Sequence, residues 1–432
     1  MTNLKRAILA AAVLVVVGTN LSSGAQTVPA SFFGMQMGKG IPAGEPWPVD
    51  SFGTTRLWDS GTSWPLINFA PGQYDWSTFD SWLNAAKQHN IDVIYCFGRV
   101  PQWASSKPND LACAAGGGPG QCDAPNDLNA DGSGSDKHFK DFVTAVATRS
   151  AGRIHYWELW DEAANPLRWT GTIAQIMRMD NDASQIIRSI DSSAVILSPS
   201  GGILAKNELQ WWGQFLAAGG GNVADVIAYH GYLQKGGSKP VPENLISALD
   251  NFQTNYLKPN GQAGKPEFDT EGSWGIASCC DFTDPDLQAG FVARFVLMHW
   301  LEQTERLYWY QWDSTAGTLW IPSKNFTGKG ILLKPGIAYQ QIYDWMVGFN
   351  VDQSCTTSKT VWACNLSGSG GYLGQIVWDT SQTCDKGVCT HSNYKFDPTY
   401  TQYVTLYGKV EQLNGSTVPI GYLPILLQNQ NP

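Results

Sequence analysis

A closed α/β barrel followed by a small antiparallel β domain is the fold class that this 432-residue sequence predicts. Three observations lead to it. Short apolar, β-rich runs recur eight times, helical patterns fall between them, and from Gly348 the chain turns to Thr, Tyr, Val and Gly with no helical period. The runs are 32–36, 54–59, 91–97, 154–160, 194–199, 226–230, 267–270 and 306–312. The helical patterns are 76–89, 137–150, 172–190, 207–218, 242–257, 285–303 and 335–347. The first crossover, between Gln36 and Thr54, holds Pro42, Pro46 and Pro48 and leaves room only for a short helix. The clearest helix start is Asp284-Pro285, an N-cap followed by proline at the first helical position. Its Leu287, Phe291 and Phe295 recur every fourth residue and predict one apolar face. Eightfold strand–helix alternation is the pattern of a (β/α)8 TIM barrel, assigned to 26–348, and the short alternating runs of 349–432 read as a sandwich-like β domain packed on it.

Residues 1–25 read as a signal peptide of bacterial style and are set aside. Lys5 and Arg6 precede an apolar stretch from Ala7 to Val17, and Ser23-Gly24-Ala25 offers a cleavage site. A secreted or periplasmic location follows, and no later segment reaches the ~20 apolar residues of a membrane span. Removing Lys5 and Arg6 takes the net charge from −9 to −11, which argues against nucleic acid as a partner and fits a neutral substrate. Eight of the nine cysteines form near-neighbour pairs suited to short disulfide loops: Cys113/Cys122, Cys279/Cys280, Cys355/Cys364 and Cys384/Cys389. None has zinc-site spacing, and the adjacent Cys279/Cys280 can bridge only through a strained ring. Cys96 is left over as a small buried hydrophobe. The stretch from Asp127 to Gly132 matches half of a calcium loop but has His138 where a bidentate Glu belongs, so it reads as an Asx-rich turn. No metal or cofactor is expected.

Two short stretches carry the chemistry. Tyr156-Trp157-Glu158-Leu159-Trp160-Asp161-Glu162 and Pro266-Glu267-Phe268-Asp269-Thr270-Glu271-Gly272 are apolar and aromatic runs ending in a carboxylate. They belong to the fourth and seventh predicted strands, and a barrel that cleaves sugars with two acids needs one at the end of each. Side chains alternate along a strand, so Glu158, Trp160 and Glu162 should share a face, with Glu162 at the mouth and Glu158 deeper as a structural acid. A retaining mechanism places the two carboxyls roughly 5–5.5 Å apart and splits their pKa values, the acid raised and the nucleophile ionised.

The segment Glu158-Leu159-Trp160-Asp161-Glu162-Ala163-Ala164-Asn165 resembles the E-x-W-N-E-P-N signature of clan A retaining glycoside hydrolases, and Thr270-Glu271-Gly272 resembles their T-E-[FY]-G nucleophile strand. Family 39 is the most similar, through Thr55-Arg56-Leu57-Trp58-Asp59, Pro101-Gln102-Trp103-Ala104-Ser105 and Ala228-Tyr229-His230-Gly231-Tyr232. The resemblance implies hydrolysis of a β-linked oligo- or polysaccharide by double displacement, with Glu162 as general acid/base and Glu271 as nucleophile. It implies Arg56 beside Glu271, and His230 or Tyr232 hydrogen-bonding around it; by themselves Arg56 reads as half of a buried ion pair and His230 as a core histidine. One departure is Asp161, where the clan has Asn. An ionised Asp only accepts hydrogen bonds and should raise the pKa of the neighbouring acid. Among the 19 tryptophans, Trp58, Trp64, Trp103, Trp169, Trp274, Trp309 and Trp312 fall in predicted mouth loops, as sugar platforms or as core filling. Rival readings are a glycan-binding barrel that has lost catalysis and a retaining enzyme of another clan A family.

Overall fold

The computed structural model describes residues 26–430 apart from Lys39, Lys235, Gly236 and Thr315, and leaves the side chain of Cys279 undescribed. The expected signal peptide, 1–25, lies outside the described residues. Eight parallel strands form the barrel: β1 (Phe33–Met35), β2 (Thr54–Leu57), β3 (Asp92–Cys96), β4 (Tyr156–Glu158), β5 (Val195–Leu197), β6 (Ile227–Tyr229), β7 (Glu267–Gly272) and β8 (Arg306–Trp309). Their order is β5-β4-β3-β2-β1-β8-β7-β6, and a parallel bridge between Leu197 and Val226 joins the two edges. All eight runs read from the sequence are strands here.

The helices that follow are α1 (Ser77–His89), α2 (Lys137–Ser150), α3 (Ile173–Ile190), α4 (Lys206–Ala217), α5 (Asn244–Phe252), α6 (Pro285–Leu301) and α7 (Lys334–Met346). Among its described residues the proline-rich first crossover carries only a 3-10 turn, Ile41–Ala43. Inside the barrel, Ile94, Leu197, Ala228, Phe268 and Tyr308 form an apolar plug. Two residues further along β3, β4 and β7 stand Cys96, Glu158 and Thr270, all buried. Strand alternation therefore places a polar layer directly above the plug.

Helix α6 is capped as its sequence suggests, with Asp284 Oδ1 accepting from the amides of Asp286 (2.8 Å) and Leu287 (3.1 Å). The single apolar face expected of it is too narrow, because the helix is buried on nearly every side. Its outer surface meets the C-terminal sheets: the Arg294 guanidinium lies 4.3 Å over the Tyr422 ring, and Trp300 Nε1 donates to Val351 O. The main C-terminal sheet is antiparallel and includes Val361–Ser367, Leu373–Asp379, Gln402–Thr405 and Ile425–Gln428. The first described strand, Gln26–Thr27, pairs with Asn350–Val351 and so belongs to this sheet.

Disulfides join Cys113–Cys122, Cys355–Cys364 and Cys384–Cys389, and Cys96 is free and buried. The expected bridge from Cys280 to Cys279 is not among these three, because the Cys279 side chain lies outside the described residues. What the structure describes of Cys280 is instead its setting: it is buried and ends the 3-10 turn Ala277–Cys279, its amide donating to Ala277 O. No described helix is long and apolar enough to cross a membrane. In the Asp127 loop, Asp127 Oδ2 accepts from Ser135 Oγ and from the amides of Lys137 and His138, so this oxygen tethers the start of α2.

Several carboxyls away from the barrel mouth titrate high. Burial, with Asp182 hydrogen-bonded beside it, pushes Asp136 up to about 8, and burial next to Asp344 pushes Asp50 up to about 7. Burial also lifts Glu267 to about 7. Each holds a proton in the fold that it releases near pH 4 once unfolded, so its stabilising effect is present in acid and is lost as pH rises through about 7 to 8. The melting temperature should fall by several degrees between pH 5 and pH 8 in scanning calorimetry. A flat profile would show that these carboxyls titrate alike in both states.

Candidate active site

Arg56 on β2 organises the polar layer. Its Nε donates to Glu158 Oε2 (2.6 Å) and its Nη2 to Glu158 Oε1 and Asp161 Oδ1 (both 2.8 Å). Its Nη1 donates to Glu271 Oε2 (2.9 Å). One buried guanidinium therefore serves carboxylates from β4, the loop after it, and β7, and these charge-assisted bonds offset the cost of removing the ions from water. Glu158 is fully buried, as expected of a structural acid.

At the end of β7, Glu271 is held between Arg56 and the Tyr232 hydroxyl, which donates to its Oε1 (2.8 Å). Asp269 fixes the backbone below it, accepting at Oδ1 from the amides of Gly231 (3.0 Å) and Glu271 (3.2 Å), while His299 Nε2 lies 2.7 Å from Oδ2. Glycine is required at both neighbouring positions, since a Cβ on Gly231 or Gly272 would lie 2.2 or 2.4 Å from Asp269 Oδ2. The alternation expected after β4 breaks down. The strand ends at Glu158, and Glu162 adopts a left-handed φ of 43°. Trp160 consequently turns outward against Phe139 and Trp169, whereas Asp161 turns inward to Arg56. A non-glycine residue in that backbone region marks a conformation that its surroundings impose. The Glu162 side chain stays partly open, 19 % exposed, with Oε2 accepting from Asn165 Nδ2 (2.8 Å) and Oε1 lying 3.2 Å from His230 Nδ1. Tyr232 is thus the partner of Glu271, and His230 is the partner of Glu162.

The ionisation order is the reverse of that expected from the sequence. Burial raises Glu162, but the hydrogen bond and charge of His230, with Asn165 and Arg168, outweigh it and hold the carboxyl at about 2. Burial pushes Glu271 up to about 7, aided by Asp161 and Glu162 and opposed by His230 and Arg56. Burial would lower His230, yet the two glutamates carry it to about 9. Asp161, buried beneath the site, stands at about 6 because burial and Glu162 outweigh Arg56. The resting proton of the Glu162–His230 pair therefore sits on the imidazole. Asp161, His230 and Glu271 lie close enough to share a cation, but Arg56 already supplies positive charge to both carboxylates.

The tryptophans divide. Trp274 and Trp309 lie 5.2 Å apart and pack on Phe291, with Trp309 Nε1 donating to Gly317 O, so both fill core rather than face the mouth. Trp312 stacks on Trp320 and is buried, as are Trp64 and Trp169. Trp58 stands beside the site, approached by Arg99 and Arg168. Arg99, Arg168, Asp59 and Tyr310 are rim residues that the sequence reading did not assign. Tyr310 donates to Asp59 Oδ2 (2.7 Å), and its ring lies 6.4 Å from that of Tyr232. Asp59 ends the second predicted strand, Arg99 lies two residues beyond the third and Tyr310 near the end of the eighth, a positional signal that could have found them. Arg168 lies in a loop that no pattern marks.

No protein-family model matches the sequence, and no curated protein matches it. Solved structures do. A family 39 glycoside hydrolase from Bacteroides cellulosilyticus WH2 is 14% identical, with a TM-score of 0.62 over 93% of this chain and 81% of that one. A GH39 β-xylosidase from Caulobacter crescentus is 13% identical (TM-score 0.62, 94% and 97%). A GH30 endoxylanase from Clostridium papyrosolvens C71 is 12% identical (TM-score 0.57, 94% and 97%). At these identities the likeness is one of fold, and it covers barrel and β domain together.

Proposed function

We propose that this chain is a secreted retaining glycoside hydrolase of clan A, similar to family 39, that cleaves a β-linked glycan. The observation that carries the reading is the pair of carboxylates, Glu162 in the loop after β4 and Glu271 at the end of β7, each held by its own donors and both facing His230. Glu271 attacks the anomeric carbon while the bond to the leaving oxygen breaks, and that oxygen takes a proton from Glu162. Because the resting proton is on His230, it passes from Nδ1 to Glu162 Oε1 as Glu162 protonates the leaving group. Glu162 then removes a proton from the incoming water, which attacks the glycosyl ester and releases Glu271. Family members of known structure support the fold this chemistry requires, and the three disulfides fit export. On this reading 26–348 is the catalytic domain and 349–432 a β domain that buttresses α6.

The reversed ionisation order favours one competing reading, a glycan-binding barrel without turnover. Hydrolysis of an aryl β-glycoside panel, with product configuration followed by NMR, separates the two. Retained configuration is expected, and inversion or complete inactivity on the panel counts against the proposal.

Asp161 offers a finer test. Its charge raises Glu271, which must be ionised to attack. Replacing it by Asn removes a neighbouring negative charge and frees Arg56 for Glu271, so the pKa of Glu271 falls. The acidic limb of the kcat/KM profile should then move to lower pH, by on the order of one unit. A stationary acidic limb would show that this charge does not govern the nucleophile.

A further inference from the structure

Behind the nucleophile strand, out of reach of any substrate, a carboxyl and an imidazole face each other. Asp269 on β7 and His299 on α6 have fully buried side chains, with His299 Nε2 2.7 Å from Asp269 Oδ2. A carboxyl between strand and helix is costly there unless both its oxygens are engaged. Both are. Oδ1 accepts from the amides of Gly231 (3.0 Å) and Glu271 (3.2 Å). On the far side of the imidazole, Nδ1 lies 2.8 Å from Phe295 O, and a carbonyl only accepts, so Nδ1 carries a hydrogen. A second hydrogen must lie between Nε2 and Oδ2, since two lone pairs would repel at that distance. Whichever atom bears it, Oδ1 stays free to accept from the two amides.

Those two amides belong to the backbone that presents the site. The register shift in β7 sets Thr270 and Glu271 against Tyr308, so Glu271 pairs with no residue of β6 or β8. Its amide turns to Asp269 instead. Gly231 stands between His230, which meets Glu162, and Tyr232, which donates to Glu271. The Gly231 amide is shared between Asp269 Oδ1 and Glu271 O (3.2 Å). We propose that His299 is a positioning residue. Through Asp269 it holds the bulge that aims Glu271 at Arg56, and with it the segment that brings His230 and Tyr232 to the two glutamates. The kinetic consequences rest on the glycosidase reading above, whereas the positioning is readable without any substrate.

Amide hydrogen exchange read by mass spectrometry is the first test. Peptides holding Gly231 and Glu271 should be protected in the wild type, and fast exchange there overturns the proposal without any variant. His299→Phe keeps a ring against Phe295 and Tyr229 but removes both donors. It should speed exchange in those peptides roughly tenfold and leave α1 and α2 unchanged. Asp269→Asn should exchange like the wild type, because its Oδ1 still accepts from both amides and its Nδ2 supplies the hydrogen to His299 Nε2. Added to His299→Phe, it should restore part of the protection by removing the stranded carboxyl. Kinetics on a glycoside that the wild type cleaves are the second test. His299→Phe should lower kcat about a hundredfold with KM within about threefold. The acidic limb of kcat/KM should move to higher pH, since Arg56 opposes the raised pKa of Glu271 and its hold would loosen. A role in stability alone would leave that limb in place. Unchanged exchange and kcat in His299→Phe overturn the proposal, as does loss of protection in Asp269→Asn. A wild type that cleaves no glycoside sinks the glycosidase reading instead, and exchange still decides the positioning.

Discussion

Glu271→Gln should abolish turnover, with kcat reduced on the order of ten-thousandfold or more, because an amide cannot form the glycosyl ester. The substitution keeps shape: the Tyr232 hydroxyl can still donate to the amide oxygen, and burial is unchanged. It also removes one of the two glutamates that hold a proton on His230. Sugar binding should therefore survive while chemistry stops. Glu162→Ala should behave differently. Aryl glycosides with good leaving groups need little protonation, so their first step should persist while natural substrate fails, and added azide should restore turnover with retained configuration. In Glu271→Gly, azide would enter from the opposite face and give the other anomer. Single-turnover and steady-state rates on 2,4-dinitrophenyl glycosides read both steps. If Glu271→Gln and Glu162→Ala both kept near-native activity, the two-carboxylate assignment would collapse.

How much of this site can be read from sequence depends on which interactions are local. Glu271 ends a strand that runs on to the mouth, so its place at the end of β7 is legible. What turns it inward is not. The register of β7 shifts between Asp269 and Gly272, and this lets both Thr270 and Glu271 reach the polar layer, Thr270 Oγ1 to Glu158 and Glu271 to Arg56. Glu158 is legible as a deep acid because β4 alternates regularly up to it. Asp161 is not, because strand alternation stops at Glu158 and the inward turn depends on Arg56, 105 positions earlier in the chain. Tryptophan enrichment misleads in a related way. An indole suits both a sugar platform and a packed core, and the choice for Trp309 is made by Trp274, Phe291 and Phe295, which come from the end of β7 and from α6. The narrow apolar face expected of α6 fails because periodicity within a helix says nothing of a sheet arriving later in the chain. Ionisation is the least legible property. The motif assigns the two glutamates, yet their resting pKa order comes from the burial of Glu271 and from His230 and Arg168 beside Glu162, whose positions follow only from the closed barrel.

Arg56→Met should give the largest loss of stability, about 3–5 kcal/mol, since removing the cation leaves buried carboxylates without a counter-ion. Methionine reaches a similar depth and introduces no new donor, so the loss reports the charge rather than a cavity. The expected pH dependence follows from sign. Without Arg56, Asp161 and Glu271 are stabilised as neutral acids, their folded pKa values rise, and folding takes up protons that the unfolded chain has released. The penalty is then full at high pH and shrinks as pH falls, so urea midpoints of wild type and variant should converge between pH 8 and pH 5. Adding Glu158→Met to Arg56→Met should recover part of the loss, because a buried pair replaced by well-packed apolar side chains is often close to neutral. A loss below about 1 kcal/mol at pH 8, or one that no second substitution relieves, would show that the polar layer is solvated rather than held by Arg56.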